Sequence, residues 1–400
     1  MDSLSNIPTP AYVADIAAIK RNLSVAKKLK SETGCKLLLA TKACSMFALF
    51  PLFAEALDGT TASGLYEAKL GSQHFGGEVH AYAPAYSEDE IEALIPLCDH
   101  IYFNSAAQLK RFAPRFAHAK IGLRLNPEFS QVTNASIYDP SSEQSRFGMT
   151  LSEITDNQLR EVDILHVHNL CENMAADSVA LIDWLMQHAA HLLRHVSAVN
   201  LGGGHYVTHA EYDLDALIAK INELKTRFDV EVILESGGAW AYDAGYLVAS
   251  VLDVIERSCA SAFGGSQDDH NASFCESQSD CAESPSHHIA ILDTSATCHM
   301  PDVLEMPYRP NVIGDTPKGA HRYQLTGRTC LTGDIIGDYA FEAPLKVGDT
   351  VIFTDMLQYS MVKNTTFNGV PLPEIGVLEE DGTYRCVKRF GYEDFERRLS

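Results

Sequence analysis

Eight short strand-like segments alternating with helical stretches limit what this chain can fold into more than any other feature. They fall at residues 37–40, 59–62, 78–83, 100–103, 120–125, 164–168, 198–201 and 231–234. The first, Leu37-Leu38-Leu39-Ala40, is apolar throughout, as a strand buried on both faces of a parallel sheet must be. Strand and helix alternating eight times predict a (β/α)8 barrel. A doubly wound open sheet also alternates, but nothing in it demands eight units. In a barrel the chemistry gathers at the C-terminal ends of the strands. Here those ends carry Lys42, Ser63, Asn104, Arg124 with Asn126, His168, Gly202-Gly203-Gly204 and Glu235.

The barrel is expected over residues 15–250, with Asp15 capping a helix whose apolar positions Ile16, Ile19, Leu23, Ala26 and Leu29 recur at helical spacing. A strand at 9–14 precedes it. Residues 129–149 read as a long polar loop on the active-site face, leading into a helix capped by Thr150 or Ser152. After residue 250 the periodicity changes. Alternating segments at 288–292, 322–326, 350–353 and 384–387 predict an antiparallel β-barrel or sandwich, with residues 1–14 joined to it. Residues 259–288, rich in Ser, Asp, Gly and Cys, read as an insertion. Its Cys275, Cys281, His287 and His288 lack the tight pairing of a zinc site, so no metal is expected.

A formal net charge of −22 argues against a nucleic-acid partner. The first residues have neither the basic nor the apolar region of a signal peptide, and no apolar run approaches the ~20 residues of a membrane span. The ten cysteines are scattered, several within apolar strands, which suits reduced thiols in a cytoplasmic protein.

Lys42, directly after an apolar strand, is either a snorkelling surface lysine or a desolvated amine able to form a Schiff base with an aldehyde such as pyridoxal phosphate. Gly202-Gly203-Gly204 and Glu235-Ser236-Gly237-Gly238 lie at neighbouring corners, where backbone amides can approach a phosphate. Glu235 would then face a pyridine nitrogen and keep it protonated, and His168 would lie against the ring. A protonated ring is the better electron sink and favours decarboxylation over a simple proton swap. Cys330, between glycines at 327 and 333, is a candidate working thiol, although a packed inert cysteine fits the same pattern. Tyr359 is placed to offer its hydroxyl to the phosphate.

These residues resemble the fold-type III pyridoxal-phosphate decarboxylases, the alanine-racemase-like group with the ornithine, arginine and diaminopimelate enzymes. Thr41-Lys42-Ala43 is similar to their Schiff-base lysine motif, and His166-Val167-His168 to the element whose second histidine stacks on the cofactor. The resemblance implies pyridoxal 5'-phosphate as cofactor, bound by Lys42, His168, Gly203, Gly204, Glu235, Gly237, Gly238 and Tyr359. It implies a homodimer with shared active sites, in which Cys330 of one subunit donates a proton in the other. Asp334, Asp302 and Glu235 are the substrate-binding candidates.

Residues 63–68, 124–128, 168–172, 295–302 and 333–339 are most similar to the branch acting on carboxynorspermidine and carboxyspermidine in polyamine synthesis. Glu235-Ser236-Gly237-Gly238 stands where the wider family has Glu-Pro-Gly-Arg, and Asn169-Leu170 where it has Gly-Ser. No arginine near Met300-Pro301-Asp302 matches the one diaminopimelate enzymes aim at a distal carboxylate. These departures favour a longer substrate ending in an amine. A diaminopimelate, ornithine or arginine decarboxylase, or an amino-acid racemase, are the alternatives.

Overall fold

A computed structural model describes residues 4–131, 139–142, 144–257 and 287–400. The eight expected segments close into a parallel barrel. Its strands are β2 (Lys36–Ala40), β3 (Gly59–Ala62), β4 (Glu78–Tyr82), β5 (His100–Phe103), β6 (Lys120–Arg124), β7 (Ile164–His166), β8 (Ala198–Asn200) and β9 (Glu231–Leu234). Each pairs with the next, and β2 pairs with β9 through Lys36–Ile233 and Leu37–Leu234. β1 (Ala11–Asp15) precedes them and lies in the other sheet.

Strand alternation sorts the side chains. Leu37, Leu39, Val79, Ile101, Leu123, Val199 and Leu234 face outward into one large core beneath the helices. Leu38, Tyr102, Ile164, Ala198 and Ile233 face inward and form a small separate core along the barrel axis. The helix Ile16–Thr33 shows how the outer layer is built. Asp15 accepts the Ala18 N–H at 3.0 Å, as the capping pattern predicts, and Gly34, at φ +60°, ends the helix. Its buried Ile19, Leu23 and Leu29 each contribute about 1.5–3 kcal/mol of apolar burial.

One expected cap is corrected. The helix after the long loop is Asp156–Leu159, and it starts at Thr155, whose N–H donates to Gln158 at 2.7 Å. Thr150 and Ser152 belong to an earlier turn. The Glu153 carboxylate takes the Thr150 N–H at 2.8 Å, and the two hydroxyls lie 3.0 Å apart.

The second sheet has eight strands: β1, β10 (Gly245–Arg257), β11 (His287–Leu292), β12 (His321–Thr326), β13 (Ile335–Phe341), β14 (Thr350–Thr354), β15 (Glu374–Leu378) and β16 (Tyr384–Lys388). The path runs β13-β12-β11-β10-β1-β15-β16, with β14 also on β10. Its pairs are antiparallel except β1–β15 and β11–β12. Cys275 and Cys281 and the rest of segment 258–286 lie outside the described residues, as do residues 132–138 of the long loop. Among the described residues no helix is long and apolar enough to cross a membrane.

Candidate active site

The C-terminal rim of the barrel brings together residues distant in sequence. Lys42 follows β2 and opens to solvent in the barrel mouth. The protein around it nevertheless lowers its ammonium pKa from 10.5. Desolvation is the largest cause and the Arg124 guanidinium the next, while Glu235 and Glu67 pull the other way. Lys42 and Glu235 therefore lie on the same rim, within electrostatic reach of each other.

Glu235 directly follows β9 and is almost fully buried. Its Oε1 accepts from Asn200 Nδ2 at 2.7 Å, and its Oε2 lies 3.7 Å from His166 Nε2. Asn200 is fully used: Nδ2 also donates to Tyr102 Oη at 2.8 Å, and Oδ1 accepts the Gly202 N–H at 2.8 Å. His168 is held by Gly203, whose N–H donates to Nδ1 at 2.9 Å. That bond leaves the ring proton on Nε2. Burial first, then the positive charges of Lys42 and Arg124, push the His168 pKa well below its usual range, so it is a neutral ring.

The two glycine turns touch. Glu235 N–H donates to Gly202 O at 2.8 Å, and a Cβ on Gly203 would sit 2.8 Å from Glu235 O. Gly204, at φ +86°, would drive a Cβ to 2.1 Å from Leu170 O. Side chains are thus excluded and the backbone lines the corner. In the second turn a Cβ on Gly237 would meet Ala40 O at 2.6 Å, and one on Gly238 would meet Gln358 Oε1 at 2.3 Å and Tyr359 Cε2 at 3.8 Å. Tyr359, at φ +55°, ties its loop to the Lys42 segment by donating its N–H to Ala43 O at 2.8 Å. Between the turns Ser236 Oγ is buried with no protein partner.

The residues present fit pyridoxal phosphate. An amine, a cradle of glycine amides with a partnerless hydroxyl, a carboxylate with one oxygen to spare and a flat neutral ring occupy one rim. Lys42, His168, Gly203, Gly204, Glu235, Gly237, Gly238 and Tyr359 are the residues that would hold it.

Two of the substrate-binding candidates have protein partners of their own. Asp334 is 3% exposed, and its carboxylate already accepts from Ser295 Oγ at 2.9 Å, Thr329 Oγ1 at 2.7 Å and the N–H groups of Thr297 and Thr329. It fastens its own loop and has no acceptor capacity left for a substrate amine. Asp302 is ion-paired with Lys363, which also holds Glu305. Its negative charge still raises the pKa of Glu172, second to burial. Cys330 lies exposed between β12 and β13, with its N–H on Asn368 Oδ1 at 2.7 Å. It is not among the groups acting most strongly on Lys42 in its own chain.

Sequence reading missed Asn200, Tyr102 and Glu67 as site residues, and placed Arg124 at a strand end without giving it a role. Arg124 stacks 4.6 Å from each of the Tyr82 and Phe147 rings and donates to His168 O at 2.9 Å. Glu67 anchors the Lys42 strand end, accepting from Thr41 Oγ1 at 2.9 Å and Ser63 N at 2.6 Å. For Arg124 and Asn200 the available signal was a polar residue in the inward phase of an otherwise apolar strand.

A closed parallel barrel with an amine, an acid and two glycine turns at one rim, followed by a mainly antiparallel sheet, defines the barrel class of pyridoxal-phosphate enzymes. The family model described as pyridoxal-dependent decarboxylase, C-terminal sheet domain, matches residues 11–356. Carboxyaminopropylagmatine decarboxylase of Synechocystis is 39% identical over 99% of this chain and 96% of its own. Carboxynorspermidine/carboxyspermidine decarboxylase of Campylobacter jejuni is 35% identical over 98% of each. The crystal structure of Campylobacter jejuni carboxynorspermidine decarboxylase with norspermidine superposes with a TM-score of 0.85 at 34% identity, covering 98% of this chain and 100% of that one. The chain belongs to the pyridoxal-dependent decarboxylases, and pyridoxal phosphate is its cofactor.

Proposed function

We propose that this enzyme decarboxylates carboxynorspermidine and carboxyspermidine, releasing norspermidine or spermidine in polyamine synthesis. The observation that carries the reading is the meeting of Lys42, Glu235, His168 and the glycine turns at one rim, in a chain so similar to enzymes named for those substrates. A second reading has its own support. The 39% identity to a carboxyaminopropylagmatine decarboxylase favours a substrate ending in a guanidinium group.

When bound, pyridoxal phosphate offers an aldehyde to amines and a ring that accepts the electron pair released with carbon dioxide. The protein's residues make that chemistry selective. Burial and the Arg124 guanidinium lower the Lys42 pKa, which favours the neutral, nucleophilic amine. Glu235, with one oxygen on Asn200, has the other free for the ring nitrogen and would hold a proton there. His168, neutral and fixed by Gly203, presents a flat face without competing for that proton. The glycine amides, Ser236 and Tyr359 take the phosphate. Burial and the Asp302 charge raise the Glu172 pKa, so a substrate ammonium beside it would stabilise its charged form.

Cys330 serves as the proton donor to the α-carbon in the site of a second subunit. Its exposure and the exposed apolar Leu331, Ile335 and Phe367 around it support a homodimer that covers this patch. The free, buried thiols Cys35, Cys44, Cys98 and Cys298 support a reducing cytoplasmic location.

The test is carbon dioxide release by the purified enzyme from carboxynorspermidine, carboxyspermidine, carboxyaminopropylagmatine, diaminopimelate and ornithine. The first two should give the highest kcat/KM. Preference for diaminopimelate or ornithine would overturn the reading. Preference for carboxyaminopropylagmatine would establish the second one.

A further inference from the structure

The barrel lumen is ordinarily filled by branched apolar side chains. Here a continuous line of polar groups runs through it. At the floor Lys36 Nζ lies 2.7 Å from Glu78 Oε1. Glu78 Oε2 is 3.1 Å from His80 Nε2, and His80 Nδ1 is 3.1 Å from Tyr102 Oη. Tyr102 Oη accepts from Asn200 Nδ2 at 2.8 Å, and Asn200 reaches Glu235 Oε1 at 2.7 Å. Five contacts thus join the floor of the barrel to the acid at its mouth, through side chains of β4, β5 and β8.

Donor arithmetic gives an arrangement in which every group of the line is satisfied. In it the Glu78 carboxylate accepts from His80 Nε2, and His80 Nδ1 accepts in turn. Tyr102 then donates its O–H to Nδ1 and has its oxygen free for Asn200. Asn200 spends one N–H on Tyr102 and the other on Glu235, while its Oδ1 is held by Gly202. In that arrangement every donor along the line meets an acceptor. The backbone also makes room for it: a Cβ on Gly122 would lie 2.1 Å from Tyr102 Cδ1.

We propose that Tyr102 and His80 are positioning residues for the decarboxylation, acting through Asn200 to hold Glu235 in the orientation that grips the ring nitrogen. The inference rests on the reading of Glu235 given above. It makes the far end of the barrel part of the catalytic apparatus, although no group there touches the substrate. A cation at the floor is the competing use, because ligand atoms of Glu78, His80 and His100 lie within 4.8 Å of one another. Two observations weigh against it. The Lys36 ammonium already neutralises Glu78, and the two imidazoles are stacked at 3.8 Å with a 26° interplanar angle, so their lone pairs do not converge on one point.

The experiment follows the ring nitrogen directly, with 15N-labelled pyridoxal phosphate in the holoenzyme and its shift titrated against pH. The ionisable groups facing the line are Lys42 after β2, His100 on β5, Arg124 and Lys120 on β6 and His166 on β7, and these, like Lys36 within it, stay unchanged in the variants used. Glu235→Gln is the anchor and should leave the ring nitrogen unprotonated at neutral pH. Tyr102→Phe leaves Glu235 in place but strands His80 Nδ1 and one Asn200 N–H. It should move the ring titration to lower pH and reduce kcat about tenfold, as outer-shell partners do elsewhere, with KM unchanged. Glu78→Gln should act in the same direction but less, since a glutamine allows the opposite His80 tautomer. Ile164→Val, in the same inner core, should lower the melting temperature and leave the ring titration unmoved. A Tyr102→Phe enzyme with the parental ring titration, while Glu235→Gln shows its loss, overturns the positioning role and leaves the role of Glu235 intact. A Glu235→Gln enzyme that still titrates like the parent overturns both.

Discussion

Gly122→Ala is a one-carbon change with a large expected effect. The added Cβ would lie 2.1 Å from Tyr102 Cδ1, 2.6 Å from Cε1 and 3.1 Å from Cγ. The ring cannot swing away cheaply, because it is fully buried and its hydroxyl is tied to His80 at 3.1 Å and Asn200 at 2.8 Å. Overpacking of this kind costs about 1–3 kcal/mol. Moving the hydroxyl far enough to relieve the clash leaves at least one buried partner unsatisfied, for about 1–3 kcal/mol more. The expected loss is therefore about 2–6 kcal/mol, a large part of the stability of a typical domain. Denaturant unfolding followed by tryptophan fluorescence reads it, since Trp184 and Trp240 both lie in the barrel portion and Trp240 donates to Leu38 O at 3.1 Å. The same substitution in a Tyr102→Ala background should cost much less, because the opposing ring is gone. Equal costs in the two backgrounds, or a loss below about 1 kcal/mol in the parent, would refute the claim that Gly122 exists to admit the Tyr102 ring.

Three further outcomes follow from charge and assembly. Arg124→Met removes a cation that disfavours protonated Lys42, so the Lys42 pKa should rise and the pH profile for capture of pyridoxal phosphate by apoenzyme should move to higher pH; a profile that stays put or moves down contradicts this. Burial pushes the Asp355 carboxyl up to about 7 from 3.8, so the folded state keeps a proton that the unfolded chain has lost. Its contribution to stability is complete below 3.8 and declines as pH rises to about 7, and Asp355→Asn should flatten that decline in denaturation measured across the range. Lys42→Ala and Cys330→Ser subunits, each inactive alone, should regain about one-quarter of parental activity after mixing and reassociation, because half the dimers are then mixed and each has one intact site. No recovery despite demonstrated subunit exchange would place Cys330 in its own chain's site or outside catalysis.

The barrel was legible because buried parallel strands are short apolar runs, and all eight segments stand where the pattern put them. The sheet was read less completely. β10 begins as a buried apolar run but ends on Asp253, Glu256 and Arg257, so no single period describes it. β13 is interrupted by Gly337 and Asp338, and β15 is short and follows prolines at 371 and 373. Within the site, the residues at strand ends could be named because a polar group after an apolar strand stands out. Asp334 stands out equally, and sequence alone does not reveal that Ser295, Thr297 and Thr329 consume its acceptors. His80, Tyr102 and Asn200 were invisible for a different reason. Each looks like an ordinary strand residue until closure of the barrel aligns the inward positions of β4, β5 and β8.

The placement of β1 has a consequence for how the molecule is made. Ala11 pairs with Val248 on one side and with Glu374 on the other. β1 therefore waits through synthesis of the entire barrel for one neighbour, and through β11 to β14 as well for the other. Within the barrel only β2 waits comparably, for β9, and every other pair joins successive strands. Synthesis thus favours a finished barrel before β1 gains its first partner in β10, and the arrival of β15 completes its pairing.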